Sequence, residues 1–103
     1  MSELGNIDRP PVTFRYDPWG RDVTARRLGA RQLLEWRETL QVAQEGTQDD
    51  QAKAFAGYLA HTMVEPTASQ DEWYDDVSLP TLIDLAGQVM QQTGLDVGQK
   101  KSG

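Results

Sequence analysis

The sequence contains no cysteine and only one histidine, His61. Without cysteine, the chain can form neither disulfides nor a thiolate zinc site, and it has no thiol nucleophile. One histidine alone does not complete a zinc site of the usual kind, and a catalytic base also needs an orienting partner and a pocket. The composition therefore suits a reducing compartment, and no metal set or nucleophile–base pair can be assembled from it.

Long apolar runs and phosphate-binding motifs are also missing. No stretch reaches the roughly 18–20 apolar residues that cross a bilayer, and residues 1–11 lack the apolar segment of a signal peptide. Neither G-x-G-x-x-G nor G-K-[ST] occurs in the sequence. We therefore expect a soluble cytoplasmic protein with no membrane segment and no cofactor.

Basic residues are fewer than acidic ones, 10 against 16, so the formal net charge is −6. The imbalance lies in residues 38–97, which hold eleven acids and only Lys53, whereas residues 1–37 hold seven arginines and five acids. A phosphate backbone repels an acidic chain, so we do not expect nucleic-acid binding. The asymmetry indicates either an ordinary mixed surface or a face that meets a basic partner or a second copy of the chain.

A chain of 103 residues has room for one domain. Residues 1–11 are polar and end in two prolines, which predicts a flexible N-terminal arm. Val12–Tyr16 then alternates apolar and polar residues, Asp17–Gly20 has turn chemistry, and Val23–Leu28 is the predicted returning strand. The pattern predicts a small N-terminal β-hairpin.

Two helices are predicted next. The first runs from about Ala30 to Gln44, and the second starts near Thr47, where Thr47 and Asp50 approximate a capping box. The second helix is expected to end at Glu65–Pro66, because the residue before a proline is disfavoured in helical conformation. Their predicted inner stripes are Leu33, Trp36, Leu40 and Ala43 in the first helix, and Ala52, Phe55, Ala56, Leu59 and Met63 in the second.

The closing helix has the clearest boundaries. Ser78 is the predicted N-cap, Pro80 lies in the first turn, and Gly94 with Leu95 is expected to end the helix. Its apolar arc is wider than one small core requires. The arc comprises Leu79, Leu82, Ile83, Leu85, Ala86, Val89, Met90 and Thr93.

Together these elements predict a mainly α fold, with about three packed helices and a small N-terminal β-hairpin (α+β). The single domain spans residues 12–95, and residues 96–103 are expected to form a disordered tail. The apolar side chains of the three helices provide only marginal stability for a monomer. A homo-oligomer is therefore one expectation.

Residues 71–76 combine four carboxylates with Trp73 and Tyr74. The segment lacks the residue order of an EF-hand loop, so calcium binding is not expected. The alternatives are an acidic site for a basic partner and a solvated segment held by a buried Trp73, with one extra helical turn. We favour the second. His61 and Tyr58 lie opposite the apolar stripe of their helix, and we expect both side chains to be exposed.

Four arginines near the first helix are the feature that nucleic-acid binding would use. The neighbouring Glu35 and Glu38 offer ordinary ion pairs on the helix surface, and the rest of the chain is acidic. A small DNA-binding regulator is therefore a less favoured interpretation. The arginines are Arg26, Arg27, Arg31 and Arg37.

The layout of residues 12–95 resembles that of the phage tail assembly chaperones, small proteins that precede the tape-measure protein in long-tailed phages. Three features carry the resemblance: a β-like opening that leads into a helix, a middle helix followed by a turn, and an acidic aromatic segment before a closing helix that ends in glycine–leucine. The matching segments are DVTARRLGARQLLEW (22–36), AKAFAGYLAHTMVEP (52–66) and DEWYDDVSLPTLIDLAGQVMQQTGL (71–95).

The resemblance implies a non-enzymatic assembly factor of the host cytoplasm that is absent from the mature virion. Its expected partners are the tape-measure protein and, secondarily, the tail tube protein, with neither nucleic acid nor membrane. A helical tape measure needs an apolar groove on its chaperone. The alternative is a structural head–tail connector, completion or minor tail protein. The predicted partner-binding residues are Trp73, Tyr74, Leu82, Leu85 and Val89.

Overall fold

The structure is a computed structural model, and it describes residues 10–93. Within this range the chain is mainly helical with a small antiparallel sheet, so the predicted fold class is confirmed. The expected N-terminal arm lies almost entirely outside the described residues, as do the expected Gly94–Leu95 helix end and C-terminal tail. The elements are β1 (Val12–Tyr16), β2 (Arg21–Ala25), α1 (Ala30–Gln44), α2 (Gln48–Thr62), β3 (Met63–Glu65), α3 (Gln70–Asp76) and α4 (Leu79–Thr93).

The predicted hairpin is confirmed. β1 and β2 pair in antiparallel register with Tyr16 opposite Arg21, and a 3-10 turn of residues 17–19 connects them. Gly20 ends this turn with φ 63°, a left-handed conformation that glycine adopts without steric cost. The returning strand starts earlier than the predicted Val23–Leu28 range, because the charged Arg21 and Asp22 also pair with β1, and it ends at Ala25.

The predicted end of the second helix is wrong. α2 stops at Thr62, and the next three residues form β3, which pairs with β2 through Ala25 opposite Met63 and Thr24 opposite Glu65. Met63 is buried in this strand, with 1% of its surface exposed. A buried Met63 satisfies the inner stripe of a helix as well as the inner face of a strand, so helical periodicity did not detect the change.

α2 is the central element, because it packs against α1, α3 and α4, while α4 also contacts β1. The capping box of Thr47 and Asp50 that opens α2 is confirmed, and Ser69 with Glu72 forms a second one before α3. No helix within residues 10–93 combines the length and apolar character needed to cross a membrane. The larger aliphatic core residues are Val23, Leu40, Leu59, Met63, Leu82, Leu85 and Val89.

Candidate functional site

The residues predicted to bind a partner are mostly core residues. Leu82, Leu85 and Val89 have 1%, 0% and 0% of their surface exposed, and Trp73 has 2%. The predicted apolar surface on α4 is therefore wrong for the folded chain. The arc of α4 is wide because this helix is covered by α2 and also by β1. Tyr74 is half-buried, and its hydroxyl donates a hydrogen bond to Asp49.

The exposed positions predicted for Tyr58 and His61 are also wrong. Tyr58 is fully buried, and its ring meets the half-buried Trp36 edge-on at a centroid distance of 5.7 Å. The His61 ring lies 6.1 Å from the same indole and is half-buried. The apolar stripe predicted from the sequence marks one buried face of α2. A second face, which contains Tyr58 and His61, is covered by Trp36 of α1. Burial raises the pKa of Tyr58 to about 12, and the Thr93 hydroxyl acts in the opposite direction.

An open groove runs along the outer side of α1 and α2. We call it the α1–α2 groove. The name covers three open depressions of about 510, 490 and 570 Å³, all of which Thr39 lines; the third is lined by α1 residues alone. Val42 lines two of the depressions and has 63% of its surface exposed, which is a large exposure for an aliphatic side chain. The uncharged lining residues of the groove include Trp36, Thr39, Val42, Ala54, Gly57 and Ala60.

Small residues of α2 create the depth of this groove. A Cβ atom at Gly57 would lie 3.3 Å from the Cη2 atom of Trp36 and 3.2 Å from the side-chain nitrogen of Gln70. That nitrogen donates a 3.0 Å hydrogen bond to the carbonyl oxygen of Lys53. The missing side chain at Gly57 therefore lets Trp36 and Gln70 close one end of the groove.

The lining of the groove carries mainly negative charge. Glu35, Glu38, Glu45 and Asp50 line it, whereas Lys53 is the one lysine or arginine in its lining. Lys53 is neutralised in part by Asp49, whose carboxylate lies 3.2 Å from its ammonium group. The Tyr74 hydroxyl and then Lys53 hold the pKa of Asp49 below its usual range. A basic ligand is therefore favoured in this groove over an acidic one.

A second, smaller pocket of about 240 Å³ lies where the hairpin turn meets α3, and we call it the Trp19–Trp73 pocket. The two indole rings are nearly parallel, with centroids 6.2 Å apart and an interplanar angle of 16°. Tyr16 meets Trp19 edge-on at 5.1 Å. The lining consists of Trp19, Pro66, Thr67, Ala68, Glu72, Trp73, Asp76 and Val77.

The acidic aromatic segment is the helix α3, with Trp73 directed inward as predicted. Sequence reasoning missed the pairing of Trp73 with Trp19, because the two residues are far apart in the chain. Within residues 10–93, no group of three or more histidine or acidic side chains is arranged to hold a metal ion.

Comparisons with family models, with curated proteins and with solved structures found no match to this chain. Its function is therefore argued from the geometry of the groove and the pocket.

Proposed function

We propose that this protein is a non-enzymatic assembly factor of the phage tail assembly chaperone type. Its principal partner is the tape-measure protein, with the tail tube protein as a second partner, in the host cytoplasm. The observation that carries the proposal is the α1–α2 groove, which is open and combines small and apolar residues with acidic ones in its lining. The layout resemblance of residues 12–95 names the partner.

The groove has the features of a site for an amphipathic helix. Such helices place apolar residues at three- and four-residue spacing into a groove on the partner. Ala54, Gly57 and Ala60 keep the floor low, and the half-buried Trp36 provides an aromatic contact at one end. Tryptophan is enriched among the residues that contribute most to binding. This groove therefore replaces the buried residues of α4 as the proposed contact surface.

Charge restricts the helix that the groove accepts. Four carboxylates lie along it, and its single lysine is paired with Asp49. A segment whose apolar stripe is flanked by lysine or arginine would bind with complementary charge. We therefore expect the bound part of the tape measure to be a basic amphipathic helix, and its binding to weaken at high salt.

The proposal is tested by co-expression with a tape-measure protein from the genome that carries this gene, and by measuring how much tape measure stays soluble and is captured. Val42→Lys places a charge at the groove and should weaken capture by about tenfold or more, equivalent to about 1.4 kcal/mol. Leu34→Lys is the matched control, because Leu34 is on the same helix, is 57% exposed and is not among the groove residues. It should capture tape measure as the wild type does.

Two results would overturn the proposal. One is a tape measure that stays equally insoluble with and without the wild-type protein. The other is recovery of the chain in purified virions, which would favour the structural connector or minor tail protein instead. Equal capture by the wild type and a folded Val42→Lys variant would reject the groove as the contact surface.

A further inference from the structure

We propose that the Trp19–Trp73 pocket binds an arginine side chain of a partner protein. The pocket shares no lining residue with the α1–α2 groove, so this inference does not depend on the function proposed above. Three properties of the pocket favour this ligand: the partly exposed indole of Trp19, its size and its charge.

The walls suit a planar cation. Trp19 is half-buried and presents the accessible ring, because the nearly parallel ring of Trp73 beside it has only 2% of its surface exposed. Tryptophan attracts cations to its ring face more strongly than the other aromatic side chains, and the planar guanidinium group stacks on such rings. The volume of about 240 Å³ lies below the range of roughly 300–1,000 Å³ typical of small-molecule sites. The pocket therefore has the size for one inserted side chain.

The ionisable groups in the lining are both carboxylates. Glu72 and Asp76 are four residues apart on α3, so they project from the same side of the helix. One oxygen of Glu72 accepts a 2.9 Å hydrogen bond from the Ser69 backbone nitrogen, which fixes the carboxylate at the pocket. Neither carboxylate forms an ion pair with another residue in the described part of the chain. The pocket therefore favours a cation and disfavours phosphate or a carboxylate ligand.

The position of Asp76 on its helix also favours a bound cation. Asp75 and Asp76 are the last two residues of α3, and the last turn contains no basic residue. The negative end of the helix dipole makes carboxylates unfavourable there and cations favourable. A guanidinium group bound by Asp76 would offset the unfavourable interaction between its carboxylate and the negative end of the helix dipole. Trp19 and Glu72 would contact the same guanidinium group.

The test uses blocked Gly-Arg-Gly as the probe and the same peptide with citrulline as its neutral isostere. Binding is followed by the nuclear magnetic resonance signals of the indole N–H groups. Trp36 lines the other groove and serves as an internal reference. The arginine peptide should shift the Trp19 and Trp73 signals with a dissociation constant on the order of 1 mM, and leave the Trp36 signal in place.

The citrulline peptide should produce little shift of either signal. Equal shifts with arginine and citrulline would overturn the proposal, because they would indicate apolar or hydrogen-bonding contacts alone. A larger shift at Trp36 than at Trp19 would also overturn it, and so would no shift when the arginine peptide reaches about ten times that concentration.

Matched variants test the carboxylates. Asp76→Asn should weaken arginine binding by about fivefold, whereas Asp75→Asn removes the same charge from a neighbour outside the pocket and should change it by less than about twofold. Glu72→Gln retains a residue type that closes a capping box, so it lowers the charge while preserving the start of α3. It should weaken binding by a similar factor to Asp76→Asn.

Equal weakening by Asp75→Asn and Asp76→Asn would show diffuse attraction to an acidic surface and would reject the pocket. Since the tape-measure experiment uses Val42 and Leu34, the two proposals fail separately. Loss of tape-measure capture in Val42→Lys with an unchanged arginine shift would support both. Normal capture without any arginine shift would reject only the pocket.

Discussion

The Tyr16 hydroxyl donates a 2.8 Å hydrogen bond to the Oδ2 atom of Asp84 and so joins the end of β1 to the middle of α4 across 68 positions of sequence. Tyr16 is buried, with 1% of its surface exposed, while Asp84 lies at the surface. The bond fixes the hairpin on the helical layer, and Tyr16 in turn supports Trp19 of the pocket through their edge-on contact.

Removal of this hydroxyl should weaken the fold. Tyr16→Phe loses a hydrogen bond to a charged acceptor, and we expect the free energy of unfolding to fall by about 1–2 kcal/mol. Urea denaturation of the wild type and the variant measures the difference. Asp84→Asn retains an acceptor oxygen and should cost less than Tyr16→Phe. A loss in Asp84→Asn as large as that in Tyr16→Phe would show that the charge of Asp84 acts through another contact.

Alkaline pH should destabilise the protein through its buried tyrosines. The pKa of Tyr58 is raised from 10.0 to about 12 in the folded chain, mainly by burial, so the unfolded chain loses this proton first as the pH rises. The contribution of the protonated Tyr58 to the free energy of unfolding is complete below pH 10. It is lost as the pH rises from about 10 to about 12. Burial, and then Asp84, also raise the pKa of Tyr16, which acts in the same direction. We expect Tyr58 alone to lower the free energy of unfolding by about 2 kcal/mol near pH 12.

Tyr58→Phe is the control for this pH effect. It should show a smaller loss of stability above pH 10 than the wild type. Near neutral pH it should be as stable as the wild type or slightly more stable, because the Tyr58 hydroxyl makes no hydrogen bond of ordinary distance and angle among residues 10–93. A loss of more than about 1 kcal/mol at neutral pH would contradict this expectation and would indicate a hydrogen bond, with Thr93 as the first candidate.

Two glycines should respond in opposite ways to alanine. Gly20 has φ 63°, so Gly20→Ala should reduce the free energy of unfolding by about 1 kcal/mol, although no atom within 4 Å would meet its Cβ atom. Gly87 lies inside α4 and also has open space around its Cβ position, so Gly87→Ala should increase the free energy of unfolding by about 0.5–1 kcal/mol. Thermal unfolding of both variants measures the contrast. Equal changes in the free energy of unfolding for Gly20→Ala and Gly87→Ala would mean that the left-handed conformation at Gly20 does not make alanine unfavourable there.

Leu85 should act as a core residue rather than a contact residue. Leu85→Ala removes a fully buried side chain and should cost about 2–5 kcal/mol of stability. Ile83→Ala is the matched control, because Ile83 is on the same helix with 40% of its surface exposed, and it should cost less than about 1.5 kcal/mol. Denaturant unfolding of the two variants gives the comparison. A stable Leu85→Ala variant would contradict the buried position of α4.

The helix starts were predictable because the signals for them are local. Thr47 and Asp50 are three residues apart, and the side chain of each accepts a hydrogen bond from the backbone N–H of the other. The same chemistry recurs at Ser69 and Glu72. The turn at Gly20 follows from a similarly short-range rule, since glycine adopts its left-handed conformation without steric cost. Such interactions involve residues close in the chain, so the sequence alone contains both partners.

Which apolar side chains remain exposed could not be predicted in the same way. The α4 stripe is legible in the sequence, but the burial of Leu82, Leu85 and Val89 depends on packing by α2 and β1. The periodicity of α2 alone predicts an exposed Tyr58. Its burial depends on Trp36, which belongs to another helix. The position of Met63 matches the apolar stripe of a helix, but in the structure Met63 pairs with Ala25 at the edge of β2 and belongs to a strand.

By itself, the sequence determined the mainly α class, the hairpin, the helix starts and the excess of negative charge, because local geometry and composition set these properties. Only the tertiary structure decided where the concave surfaces lie. Trp36 reaches Gly57 from another helix, and Trp19 reaches Trp73 from the hairpin turn. These pairs form through packing between distant segments, and periodicity within one segment carries no information about the partner that covers it.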